Sequence, residues 1–148
     1  MPELTTSPRP SMAAIRTEFA GYVQAYRDLL AAASKASGAS LMRIDGAFAA
    51  FEPGYFNNLL VALDARFTSR QRGGEDDGGG AIAEVRLIVA SLIEHGGVMT
   101  ADKATAYAPA KSVLRIDIGD RIALNADDFE AIAAAYIGET EKNLARGS

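Results

Sequence analysis

The 148-residue chain has no cysteine, no tryptophan and one histidine. Without cysteine there are no disulfides, thiolate metal sites or cysteine nucleophiles, and the composition fits a reducing compartment; a cytoplasmic location is expected. No apolar run approaches the ~20 residues that a membrane helix needs, and residues 1–10 hold no signal-peptide core, so no membrane partner is expected. Concentrated basic charge is missing as well. Fifteen Lys and Arg stand against nineteen Asp and Glu, for a net charge of −4. The nearest approach to a basic cluster is Arg66, Arg70 and Arg72, at the end of an apolar helix where cations suit the helix dipole. That is not the footprint of a nucleic-acid binder, and no nucleic-acid partner is expected. A nucleophile elbow, a Rossmann fingerprint, a metal-ligand pair and an RNA-stacking motif are all absent. No cofactor, metal or catalytic group is implied.

What is present is apolar and alanine-rich: 49% of the residues are hydrophobic. Alanine in such amounts favours close-packed helices over sheets. The most apolar stretch is 53–70. Phe56, Leu60, Leu63 and Phe67 recur at helical spacing, Val61, Ala62 and Ala65 lie opposite, and only Asn57 and Asp64 form a narrow polar edge. A helix apolar on nearly all sides is buried among other elements, so 53–70 is expected to be a central post. Before it, Ser11 caps a long amphipathic helix at 12–37 with the stripe Met12, Ile15, Phe19, Tyr22, Val23, Tyr26, Leu30 and Ala33. A shorter helix from Ser40 carries Leu41, Ile44, Phe48 and Phe51 on one face, and a sharp corner is expected at 52–54 because Pro53 suits a first helical turn.

After the post, 71–80 has five glycines, three acids and no apolar residue, which predicts a mobile loop. A nearly all-apolar helix follows at 81–95. The period then changes to two. Residues 112–117 and 121–124 alternate apolar and polar, predicting a β-hairpin that pairs Ile116 with Ile122 and Leu114 with Leu124, with a possible third strand from 98–100. Asn125 caps a last helix at 126–145, with Asp127 and Asp128 in its first turn and a stripe of Phe129, Ile132, Ala133, Tyr136, Ile137, Thr140 and Leu144. The fold class that results is α+β, mainly α: about five helices around a central helix at 53–70, with a small antiparallel β-hairpin at 112–124. One globular domain spans 11–146, after a disordered or extended arm at 1–10; 147–148 reads as a cloning remnant.

Six residues are candidates for ligand binding. Asn57, Asn58 and Asp64 are polar groups on a helix that should be buried, where an unsatisfied group costs about 1–3 kcal/mol and must find a partner or ligand. His95 is the lone imidazole; its place before Gly96-Gly97 favours a role as the C-terminal cap of its helix over one as a base or ligand. Asp102 and Lys103 sit in a glycine-bounded loop. Two further features have a structural reading. The loop at 73–80 precedes a helix N-terminus, where phosphate can bind, yet its acids repel anions. Asp117, Asp120, Asp127 and Asp128 cluster in sequence, each with a turn, cross-strand or helix-start role.

These features favour a non-catalytic protein-interaction or homo-oligomeric domain, with another copy of the chain or a protein as partner. The reason is that the aromatic stripes of the terminal helices (Phe19, Tyr22, Tyr26; Phe129, Tyr136) exceed what a small core covers. Two alternatives stand beside it. The order of elements resembles a winged-helix DNA-binding regulator, in which 81–95 would read the major groove, although that helix carries a single arginine. The other alternative is a small-ligand-binding helical domain with a pocket near Asn57 and Asp64.

Overall fold

The computed structural model describes residues 11–35, 39–67, 80–102, 105 and 107–146. The expectations for 1–10, for most of the loop at 71–80 and for the chain end at 147–148 lie outside the described residues. The described residues form four α-helices, α1 (Met12–Ala33), α2 (Ala39–Phe67), α3 (Gly80–Glu94) and α4 (Ala126–Arg146), with one 3-10 turn at Pro109–Lys111. No described residue belongs to a strand longer than a single bridge. The architecture is therefore all-helical, and the predicted α+β class, its five helices and its β-hairpin are corrected.

The helix count falls because α2 runs through Pro53 without a corner. The proline ring removes one backbone hydrogen bond, to the carbonyl four residues earlier. That carbonyl belongs to Ala49, an exposed residue at which solvent can take over. An aromatic clamp then spans both halves. The Tyr26 ring of α1 meets Phe48 before the proline at 5.7 Å, and Tyr55 and Phe56 after it at 6.0 and 4.9 Å. Tertiary contact overrides the local breaker.

The hairpin fails for a different reason. Its backbone donors are already bonded to side chains. Glu84, buried in α3, accepts the N–H groups of Val113 and Leu114 at 2.8 and 2.9 Å. Ser112 Oγ accepts the Arg115 N–H at 2.8 Å, and Arg115 adopts a left-handed φ of 55°. That turn carries 112–117 away from 121–124. The pairing that does form joins 97–99 to 119–122: Met99 N–H donates to Asp120, Gly119 N–H to Met99 and Ile122 N–H to Gly97, each at 2.8 Å, around the single antiparallel bridge Val98–Arg121. The alternation read from sequence survives as exposure. Ile122 and Leu124 are buried, and Arg121 and Ala123 are exposed.

The second half of α2 presents Phe56, Leu60, Leu63 and Phe67 to the core, all fully buried. It does not act as a post buried all round, since Asn58, Ala62 and Ala65 are exposed. That position belongs to α3. Its buried residues include Ile82, Val85, Leu87, Ile88, Val89 and even Glu84, covering most of its circumference. Helices α2 and α4 pack on two sides, and the irregular segment 95–125 covers another through Met99, Leu114 and the Glu84 bonds. Among the described helices, α1 lies against α2 and α4. Ion pairs stitch its outer edge: Arg27 to Asp127 and Glu130, Arg16 to Glu141, and Arg66 to Glu18. No described helix is long and apolar enough to cross a membrane.

The starts of α1 and α4 follow their sequence signals, whereas α1 ends at Ala33, short of the expected 37. Ser11 Oγ accepts the Ala14 N–H at the start of α1. Asn125 Oδ1 accepts the Asp128 N–H at 2.7 Å, and Asp128 Oδ2 returns the contact to the Asn125 N–H at 3.2 Å, a reciprocal capping box.

Candidate functional site

A groove lies at the end of α3. The Ser91 carbonyl accepts both the His95 and the Gly97 N–H at 3.0 Å. Gly96 and Gly97 adopt positive φ, which releases the chain from the helix. Ser91 Oγ then accepts the Thr100 N–H at 3.0 Å and draws residues 100–102 back along the last turns of α3. Between them is a groove of about 380 Å³, lined by Leu87, Ala90, Glu94, His95, Thr100 and Asp102 among others. Two of the sequence candidates, His95 and Asp102, thus share one groove, and Glu94 joins them. All three are exposed. Lys103 lies outside the described residues. Among the described residues no three His, Asp or Glu side chains are placed to hold a metal ion. The groove offers an acidic, open rim over a small apolar floor.

The polar edge of α2 is occupied from within. Asn57 is half-buried; its Nδ2 donates to the Ile122 carbonyl at 3.0 Å and its Oδ1 accepts the Leu124 N–H at 3.1 Å. One amide thus pins the extended run 122–124 to the helix, as a neighbouring strand would. Asp64, one heptad on, accepts the phenol O–H of Tyr136 at 2.9 Å. Burial raises the Asp64 carboxyl above its ordinary range, against the Tyr136 hydrogen bond and the positive charge of Arg86, which both lower it. Asn58 faces solvent. Asn57 and Asp64 therefore bind other parts of the fold, and neither lines the groove that holds His95 and Asp102.

The N-terminus of α3, weighed above as an anion site, already holds an internal anion. Glu139 of α4 accepts the Ala81 N–H at 2.7 Å. Gly80, at φ 83°, leaves room for it: a Cβ there would lie 2.6 Å from the Glu139 carboxylate oxygens. The acids near the last helix are engaged too, with Asp127 paired to Arg27 and Asp128 in the capping box.

A surface that sequence placed only in part lies on the outer half of α2. Of the aromatic residues expected to exceed the core, Phe19, Tyr26, Phe129 and Tyr136 are buried and only Tyr22 is exposed. The prominent exposed ring is Phe51, 52% exposed. It ends a ladder of rings leading out of the core, from Phe129 to Phe56 (5.9 Å), Phe56 to Tyr55 (5.0 Å) and Tyr55 to Phe51 (5.2 Å). Leu29 of α1 is 59% exposed, and Met42 on another side of α2 is 81% exposed. Met42, Gly46, Ala50 and Gly54 recur every fourth residue as one exposed ridge, and a Cβ added at either glycine would meet nothing within 4 Å. The spacing was visible in the sequence, but the expectation of a packed corner at Pro53 hid it. Comparison with protein-family models, curated proteins and solved structures finds no match to the chain.

Proposed function

We propose that the chain is a non-catalytic interaction domain that self-associates through the outer half of α2. The observation that carries this reading is the exposed Phe51 ring at the end of the ladder from the core. Ile44, Phe48, Phe51 and Tyr55 follow a 4-3-4 spacing, the seam by which one helix packs on another; Phe48 and Tyr55 meet Tyr26 of α1, and the Phe51 edge of the seam stays exposed. The ridge of Gly46 and Gly54 lies on another side of α2 and meets nothing among the described residues. A second copy supplies the same seam in antiparallel register, the self-complementary arrangement of a two-fold dimer.

The competing readings have less behind them. A winged-helix regulator needs a wing and a recognition helix with a free face. The hairpin does not form among the described residues, and α3 is buried on most of its circumference. A ligand pocket at Asn57 and Asp64 would displace bonds that hold 122–124 and Tyr136.

Light scattering across a concentration series tests the proposal. The wild type is expected at twice the chain mass and Phe51→Glu at the monomer mass, with unchanged helical circular dichroism. A wild type that stays monomeric at high concentration overturns it.

A further inference from the structure

We draw no further inference here: the strongest candidate, the groove of about 380 Å³ between the end of α3 and residues 100–102, owes its character to the exposed acids Glu94 and Asp102, and its buried polar side chain, Ser91, already accepts the Thr100 N–H, so nothing in the structure says what ligand would fill it.

Discussion

Helix α4 and the segment 95–125 both lie on α3, and they are held there by opposite means. Helix α4 satisfies its own backbone and contributes a stripe of buried side chains: Phe129, Ile132, Ala133, Tyr136 and Ile137. The segment has almost no regular structure, and side chains from the helices take up its backbone groups. Glu84 holds Val113 and Leu114, Ser91 holds Thr100, and Asn57 holds Ile122 and Leu124. Apolar burial is non-directional and tolerates small shifts. A buried carboxylate serving two N–H groups does not, because each donor left behind loses its partner in a place water reaches poorly. The helical bundle should therefore soften gradually under mutation, and the segment should detach at single residues.

The largest expected effect falls where the two regions share a core. Phe56 is fully buried and touches Phe129, Tyr26 and Tyr55. Phe56→Ala should cost about 4 kcal/mol in urea unfolding, within the range for large aromatic truncations, and amide exchange should accelerate in α4 and the segment alike. Glu84→Ala comes next. Glu84 is 2% exposed, and losing it orphans two N–H groups. The expected loss is about 3 kcal/mol, with the Val113 and Leu114 amides exchanging far faster while those of α4 keep their protection relative to global unfolding. Equal acceleration in both regions would break the distinction drawn between them.

The same distinction explains what could be read from sequence. Periodic burial was legible: the stripes Ile15, Phe19, Val23, Tyr26 and Phe56, Leu60, Leu63, Phe67 are the ones that reach the core. So were the caps at Ser11 and Asn125, where a side chain bonds a backbone group three residues away. Long-range bonds from side chain to backbone were not legible. Glu84 stands 29 residues from Val113, and Asn57 stands 65 residues from Ile122. Period-two alternation reports which side chains face inward; it does not say whether the backbone finds another strand or a glutamate. Pro53 misled for a related reason, since the Tyr26 contacts that keep α2 continuous come from a different helix. Of the site candidates, Asn57 and Asp64 have partners that no local pattern indicates. Those partners, Ile122, Leu124 and Tyr136, lie within the fold.

Asn57→Ala sharpens the comparison at lower cost. It removes a donor and an acceptor that serve the 122–124 backbone from a half-buried position. A loss of about 2 kcal/mol is expected, together with faster exchange at Leu124 and no change in mass by light scattering. A changed oligomeric state in this variant would move the association surface from the outer half of α2 to this edge.

The smallest effect is one of pH, and its sign is opposite to that of a salt-bridged acid. Burial raises the folded-state pKa of Asp64 above its ordinary 3.8, although Tyr136 and Arg86 oppose the rise. The folded chain therefore binds this proton more readily than the unfolded chain does. By linkage, the contribution of Asp64 to stability is fully present below the unfolded pKa and is lost as pH rises through the folded pKa. Asp64→Asn keeps the size and an acceptor for the Tyr136 hydroxyl but does not titrate. Urea unfolding of both proteins in steps from pH 4 to pH 7 should show the wild type losing stability relative to the variant as pH rises. A relative gain over that interval would mean that Tyr136 and Arg86 dominate and that Asp64 sits at this junction as a well-paired anion. The α2–α4 contact at Asp64 would then be directional in the same way as the bonds that hold 95–125, and the line between the two regions would have to be redrawn through the bundle itself.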